Sequence, residues 1–303
     1  MKIVEPQVEL WKQEPTLEGA WHQIAKATRV CYQSKPREGE SDEAFVNRVI
    51  LKPATREDGS IDFDKCHGAM LEHGTVYLTI PSSHICTITH YTYNKYSKVI
   101  WARKPVKIYA YVTTNMRVIL ENNWQDDLRF IYAPTHHVKR TTFSVITDIG
   151  VTRELNRHRV NSIAVQSTRY CTYSADKFGN EVTYTSTSTS PFLECVSDDK
   201  YYFRELCEDI TDNSYKSTWD AKHYYAFGLL AAEFAYLGLK KNGVTNDMAR
   251  QVLNLNTRSQ AVYTAFDDDW QHFIKLRADN VSGKVHPNMK IIADKIKELF
   301  NNK

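Results

Sequence analysis

The sequence predicts an α+β protein in which long helices flank a mixed or antiparallel sheet. Two β-rich runs, at residues 75–80 and 142–149, are bounded by polar residues and turn formers. Apolar residues repeat with helical spacing at residues 17–34, at 217–241 and in the segment that begins at Pro287. No low-complexity linker separates these elements, so we expect the 303 residues to form a single domain.

Composition excludes several classes of protein. Hydrophobic residues make up 42% and charged residues 25%, which is ordinary for a soluble protein, and the net charge of +3 is too small to indicate nucleic-acid binding. No apolar run approaches the roughly 20 residues that cross a bilayer. Six cysteines without CxxC pairs indicate a reducing, cytoplasmic setting with neither zinc nor disulfides. Without a GxGxxG or P-loop motif, side chains would have to hold any bound phosphate.

The first half of the chain is predicted to contain helices, polar surface segments and strands. The helix at 17–34 is followed by a polar stretch with a second helix at 41–51. Residues 81–140 include a tyrosine-rich segment and a strand or helix at 109–121, for which the sequence suggests no function. After the strand at 142–149, Thr152 is the predicted N-cap of a helix that contains Arg153 to Arg159.

The second half is predicted to be mostly helical. Residues 180–190 are rich in threonine and serine and are predicted to form a loop or lid. Helices follow at about 199–212 and 217–241, the second apolar on nearly all sides and therefore expected to be buried. Thr245 and Asp267 are the predicted N-caps of two further helices. The last helix buries a stripe formed by Met289, Ile292, Ile296 and Leu299.

Arg277 is an arginine on an apolar helical face. It continues the face that Trp270, Phe273 and Ile274 form at spacings of three, four and seven residues. A guanidinium group at such a position must reach solvent, pair with an acid or meet an anionic ligand. The residues alone do not distinguish among these three outcomes.

Arginine residues are concentrated between residues 152 and 170. The segment has four arginines, one acid (Glu154) and no lysine. Arginine presents forked donors that suit phosphate and carboxylate groups. On a helix, Arg153 and Arg157 would form an unfavourable like-charge pair that a bound anion would relieve. Ser162 and Ser167 add hydroxyl donors, so the segment predicts an anion site, although a solvated basic face is the alternative.

The same segment resembles the signature of the flavin-dependent thymidylate synthases. That signature is Arg157-His158-Arg159, seven further residues, then Ser167 and, two residues later, Arg169-Tyr170. Three other stretches are similar to motifs of this family. They are AxRxCYxS at 27–34, His-x-x-x-x-Glu-His at 67–73, and a C-terminal stretch with Ala249-Arg250, the run from His272 to Arg277, and His286-Pro287.

The resemblance implies a reaction and its cofactors. Members of the family methylate dUMP reductively to dTMP, with methylenetetrahydrofolate as carbon donor, NADPH as reductant and FAD as hydride carrier. Their active sites lie between the subunits of a homotetramer and need no cysteine nucleophile. The resemblance also implies that residues 81–140 are largely an insertion, since shorter members lack most of them.

The resemblance further implies roles for individual residues. Arg277 would be catalytic and would stabilise negative charge at N3 and O2 of the uracil ring. The positions that match dUMP contacts are Glu154, Arg157, Ser167, Thr168, Arg169, Arg250 and Arg277. The positions that match FAD contacts are His67, Arg157, His158, Arg159 and His272.

At five positions the chain departs from the family pattern. Glu154 replaces a glutamine, Val165 a glutamate, and Ala69 a serine or threonine. Phe266 and Asp268 stand where an asparagine and an arginine often help to hold FAD. We therefore expect the dUMP site to be intact and FAD to be bound more loosely or in a different arrangement.

Three other functions remain open from the sequence. A binding protein that has lost catalysis would explain Val165 and Ala69. A nucleic-acid-binding domain could use the arginine segment, but the absence of lysine there and the small net charge of +3 count against it. A flavoprotein with another substrate would leave Arg250 and Arg277 without a role.

Overall fold

The computed structural model confirms the α+β class. It describes residues 1–103, 107–169, 172–174, 179–186, 204–205, 207–208, 212, 219–281 and 283–303. The strands are β1 (Lys2–Val4), β2 (Gln7–Trp11), β3 (Thr75–Pro81), β4 (Lys98–Arg103), β5 (Ile108–Asn115), β6 (Arg140–Asp148), β7 (Ser162–Val165), β8 (Thr183–Thr185) and β9 (Arg258–Phe266). The helices are α1 (Leu17–Tyr32), α2 (Asp42–Val46), α3 (Ile85–Tyr93), α4 (Met116–Glu121), α5 (Ile149–Leu155), α6 (Ala221–Lys241), α7 (Asn246–Ala249), α8 (Asp267–Arg277) and α9 (Pro287–Asn301). In these ranges no helix has the length and hydropathy that a membrane span requires.

A four-stranded antiparallel sheet lies at the centre, in the order β2-β6-β9-β7. One face contributes Ala164 and Val262 to a core that includes the buried side of α1. The opposite face packs α5, α8 and α9 against Phe143 and Tyr263. Helices on both faces cover the two central strands, so β6 and β9 are buried along most of their length.

The predicted insertion forms much of a second sheet, of three antiparallel strands in the order β3-β5-β4. The stretch at 109–121, predicted as strand or helix, is both, because β5 ends at Asn115 and α4 follows directly. The Asn115 side chain caps α4 by accepting a hydrogen bond from the Val118 amide over 3.1 Å.

The prediction of a loop or lid at 180–190 is wrong at three of the residues that the structure describes. Residues 183–185 form β8, which pairs in parallel with β1. The partner strand, β1, lies 181 residues earlier in the chain, so local sequence could not indicate the pairing. Residues 187–190 and most of the helix predicted at 199–212 fall outside the described residues.

The predicted N-cap at Thr152 is also wrong. Helix α5 begins at Ile149, and the Asp148 carboxylate accepts a hydrogen bond from the Val151 amide over 2.7 Å. Thr152 lies inside the helix, where its hydroxyl donates to the Asp148 carbonyl over 2.9 Å. Because α5 ends at Leu155, Arg157 lies beyond the helix, and the like-charge pair expected with Arg153 does not share a helical face.

Two further helices differ from prediction. The expected burial of α6 on nearly all sides is wrong, since Phe234 is 70% exposed and the buried residues are Ala226, Leu229, Leu230 and Tyr236. Helix α8 begins with Asp267 itself, so Asp267 is not its N-cap. The Asp267 carboxylate instead accepts a hydrogen bond from the Thr141 hydroxyl over 2.6 Å. The predicted apolar face of α8 is confirmed, because Trp270, Phe273 and Ile274 are buried.

Two helical glycines give a matched test of packing. A Cβ atom on Gly19, in the first turn of α1, would stand 2.1 Å from the Glu14 carbonyl oxygen. A Cβ atom on Gly228, inside α6, would meet no atom within 4 Å. We expect Gly19→Ala to lower the free energy of unfolding by about 1–3 kcal/mol, because the backbone must move. Gly228→Ala should raise it by up to about 1 kcal/mol through helix propensity.

Urea denaturation of the wild type and both variants would measure these changes. A Gly19→Ala variant as stable as the wild type would contradict the close approach of α1 to the backbone at Glu14.

Candidate active site

The predicted site residues fall into groups, of which the first lies where α5 and α8 end. The Arg277 Nε group donates to His158 Nε2 over 3.3 Å. Arg277 Nη1 lies 3.7 Å from Glu154 Oε2, and the two side chains are 26% and 35% exposed. We call Glu154, His158 and Arg277 the helix-end cluster. Of the three outcomes open for Arg277, the structure shows pairing with an acid.

His158 is held neutral within this cluster. Burial, together with the nearby Arg277 and His272 side chains, lowers the pKa of His158 to about 4. The Phe273 ring contributes to the apolar surroundings, with its centroid 4.9 Å from that of the imidazole. Because Nε2 accepts the hydrogen bond from Arg277, the ring proton of the neutral form lies on Nδ1.

The second group joins the end of the arginine segment to α7 and the turn after it. We call Ser167, Thr168, Arg169, Asp247 and Arg250 the loop cluster. The Arg250 Nη1 group donates to the Thr168 hydroxyl over 3.3 Å. The Asp247 carboxylate lies 3.0 Å from Arg169 and 3.5 Å from Arg250, so two guanidinium groups share one acid. Their side chains are 56% and 40% exposed, which leaves donors facing solvent.

The end of α1 connects the loop cluster to His67. The Ser167 amide donates to the Cys31 carbonyl over 3.0 Å. The hydroxyl of the next residue, Tyr32, is hydrogen-bonded to His67 Nδ1. The motif at 27–34 therefore contacts two other motif regions, and Tyr32 is a contact of His67 that the sequence analysis did not select as a site residue.

The remaining predicted residues lie apart from these clusters. Arg157 and His272 are exposed, the first beyond α5 and the second on α8. Arg159 lines a cavity of about 580 Å³, with Arg140 and Phe266 on other parts of its wall. The structure therefore does not gather all the predicted residues of one chain into a single pocket.

Arg140 is a residue of this cavity that sequence analysis missed. One of its terminal nitrogens donates to the Glu72 carbonyl over 3.0 Å and to the Thr75 hydroxyl over 3.2 Å. The other donates to the Ser162 hydroxyl over 3.1 Å. Burial lowers the pKa of Arg140 to about 10, although it remains charged at neutral pH. Its acceptors come from three separate segments, so no local motif signals it.

Comparisons with known proteins indicate a family. A model of the family described as "Thymidylate synthase complementing protein" matches residues 130–303, more than half of the chain. No curated protein matches the sequence. Two solved structures of a UMP/dUMP methylase PolB from Streptomyces cacaoi, bound with 5-Br UMP and with 5-Br dUMP, are similar at 15% identity. The matches cover 100% of this chain and 92% or 93% of those chains at a TM-score of 0.41, which is too low to support a functional argument.

The pKa of His158 provides a test of the helix-end cluster. We expect the imidazole to titrate near pH 4 in the wild type, because burial and Arg277 both disfavour its charged form. Arg277→Met removes the positive neighbour and should move the pKa of His158 upward, toward its ordinary value. NMR titration of the histidine side chains would measure both values.

Lys275→Met, which removes an exposed charge from the same helix, is the control and should leave the pKa of His158 unchanged. A wild-type His158 that titrates near its ordinary value would contradict the described arrangement.

Proposed function

The chain belongs to the thymidylate synthase complementing protein family, whose members are flavin-dependent methyltransferases, and from this premise we propose that it converts dUMP to dTMP. In the proposed reaction methylenetetrahydrofolate donates the carbon, NADPH is the reductant and FAD carries the hydride. A thymidylate synthase needs a site for the nucleotide monophosphate, donors that stabilise charge on the pyrimidine, and a place for the flavin. The described residues support each requirement separately.

The loop cluster is the observation that supports the proposal most strongly. Arg169 and Arg250 are separated by 80 residues in the chain, yet both contact Asp247, and Arg250 also contacts Thr168. Both guanidinium groups are exposed and contact the same carboxylate, so an anionic ligand can reach them from solvent. Forked donors beside hydroxyl groups suit the doubly charged phosphate of dUMP, which can form bidentate hydrogen bonds. We assign Ser167 and Thr168 to the same phosphate.

Arg277 has the properties expected of a residue that stabilises charge on the uracil ring. Its separation of 3.7 Å from Glu154 is a loose ion pair, so an anionic ligand can replace the acid. Neutral His158 accepts from Nε and orients the guanidinium without adding a second positive charge. Fixed donors that face developing charge at N3 and O2 stabilise the transition state more than the ground state.

The residues of this chain fit the anionic part of FAD. The guanidinium of Arg140 is partly buried. It donates to the backbone carbonyl of Glu72 and to the hydroxyls of Thr75 and Ser162, which are all uncharged. A diphosphate group would add negative charge beside this guanidinium, with Arg159 on the same cavity wall. The residues proposed to hold FAD are His67, Arg157, His158, Arg159 and His272. When bound, the flavin supplies the redox chemistry, and the protein supplies position and charge.

Oligomerisation is part of the proposal. The helix-end cluster, the loop cluster and the cavity beside Arg159 are separate groups within one chain. A homotetramer, in which groups from different subunits meet, would complete sites that one chain leaves divided. This arrangement would also account for exposed arginines such as Arg157, which a partner subunit's ligand could contact.

Release of tritium from [5-³H]dUMP tests the proposed reaction. Purified protein would receive the nucleotide, methylenetetrahydrofolate, NADPH and FAD, with each component omitted in turn. We expect release and dTMP formation only when all four are present. A folded, flavin-loaded protein that releases no tritium would contradict the proposed reaction and favour a binding protein; Val165→Glu, which restores the family residue, would then be the next variant.

Arg277→Ala separates catalysis from folding. We expect turnover to fall by about a hundredfold or more, the effect typical of losing a preorganised donor. Stability should change by no more than about 1 kcal/mol, because the pair with Glu154 is partly exposed. Initial rates and thermal melting would measure the two effects, with Lys275→Ala as the control on the same helix. Normal turnover in a variant with an unchanged melting curve would refute the assigned role.

A further inference from the structure

One segment of the chain is far more basic than the rest. Residues 73–120, which we call the acid-free segment, contain no aspartate or glutamate. Of the 39 lysine and arginine residues, six lie in this segment, and the other 33 share the remainder of the chain with all 36 acids. The net charge of +3 therefore conceals a strongly basic region, and it does not describe the surface that this region forms. The six cationic residues are Lys95, Lys98, Arg103, Lys104, Lys107 and Arg117.

Two of these cations are balanced by acids from outside the segment. Arg117 lies 2.6 Å from the Glu72 carboxylate and 3.0 Å from that of Glu121. Lys98, at the start of β4, pairs with Asp268. Neither residue therefore presents an uncompensated charge to solvent.

The remaining charge is concentrated at the turn of the hairpin that β4 and β5 form. Arg103 ends β4 and Lys107 precedes β5, and both side chains are exposed. Among the described residues, no acid lies within ion-pair distance of either side chain. Five residues of extended strand separate Arg103 from Lys98, a length of about 17 Å. The turn is therefore distant from the cavity that Lys98 and Arg159 line.

The hairpin also exposes an aromatic ring beside this charge. Trp101 is 47% exposed, although it shares a face of the sheet with the buried residues Ala110 and Ile80. Because β4 is the edge strand of its sheet, no further described strand lies beside Trp101. Arg103 projects from the same face two residues later, so the Cα atoms of Trp101 and Arg103 are about 7 Å apart. An indole ring and a guanidinium group are thus accessible next to each other.

Charge argues against a second copy of this chain as the occupant of the surface. In a twofold contact both copies present the same patch, so Arg103 and Lys107 would meet their own counterparts. Like charges that face each other across an interface are unfavourable, and the acid-free segment has no carboxylate to offset them. The partner of this surface should therefore carry negative charge.

We propose that the β4–β5 hairpin binds single-stranded nucleic acid, with a base stacked on Trp101 and phosphates held by Arg103 and Lys107. Each nucleotide of a single strand has one phosphate and one base whose flat face stacks on an aromatic ring, so it matches both features of the hairpin. An acidic protein segment would match the charge alone. Stacking and phosphate contacts do not read base edges, so binding should be independent of sequence. This activity goes beyond the proposed synthase reaction and does not rest on it.

Fluorescence anisotropy of a labelled oligothymidylate of about 20 nucleotides, longer than one binding site, tests the proposal. The full chain would be used, with the fold of each variant checked by circular dichroism. We expect Trp101→Leu, which keeps an apolar side chain but removes the ring, to weaken binding by about fivefold or more. Arg103→Gln and Lys107→Gln should each reduce the slope of log affinity against log salt concentration by about 0.7, the value for one phosphate of a single strand.

Two variants outside the hairpin are matched controls. Tyr224→Leu removes an aromatic ring of α6 that is 51% exposed, and Lys52→Gln removes an exposed lysine. Neither should change the affinity or the salt dependence. Unchanged affinity in Trp101→Leu, or an equal loss in Tyr224→Leu, would overturn the proposal, because binding would then not depend on stacking at the hairpin.

Two competitors distinguish the hairpin from other anion sites. Displacement of the oligonucleotide by free dUMP would place it at the loop cluster and overturn the proposal. Poly-L-glutamate that binds as tightly as the oligonucleotide would also overturn it, since the partner would then be recognised by charge alone, as an acidic protein segment is. Binding that persists in excess dUMP, exceeds that of poly-L-glutamate and weakens in the hairpin variants would support the assignment.

Discussion

The pairing of β6 with β9 is the constraint on which the rest of the structure depends. Nine residues of each strand are in register, from Arg140 opposite Phe266 to Asp148 opposite Arg258. Because the strands are antiparallel, α5 and α8 leave from opposite ends of the pair, and both pack on the same face of the sheet. Their C-terminal ends meet where Arg277 approaches Glu154. A one-residue slip would turn the buried side chains to the other face and separate that pair.

The sequence predicted those elements whose signals are local. The strand at 142–149 and the helices from Leu17 and Pro287 follow from apolar periodicity and appear within a few residues of their predicted ends. The start of α5 could not be predicted in this way. Asp148 and Thr152 both have side chains that can cap a helix, and the choice depends on where β6 ends. That end is fixed by pairing with β9, more than 100 residues later.

The extent to which α6 is buried also could not be predicted from local sequence. Apolar residues on nearly all sides predicted a fully buried helix, yet Leu229 and Tyr236 are buried while Phe234 is 70% exposed. Periodicity indicates which residues lie on the same face of a helix. How many faces pack against other elements depends on tertiary and quaternary structure. Most candidate site residues came from the resemblance of motifs, whereas the roles of Arg140 and Tyr32 are recognisable only from contacts between distant segments.

The arginines of this chain show how binding and stability constrain each other. Arg277 keeps a loose acidic partner, and Arg169 and Arg250 share one, so each is stable without a ligand and can exchange its acid for an anion. Among the described residues Arg140 has no acid in direct ion-pair contact, although Glu72 and Asp269 interact with it at longer range, and its hydrogen bonds go to a carbonyl and two hydroxyl oxygens. Desolvation of its charge opposes folding, and a bound oxyanion would offset that cost by binding the folded state selectively. Ligand binding at this cavity should therefore be coupled more strongly to stability than binding at the solvent-exposed loop cluster.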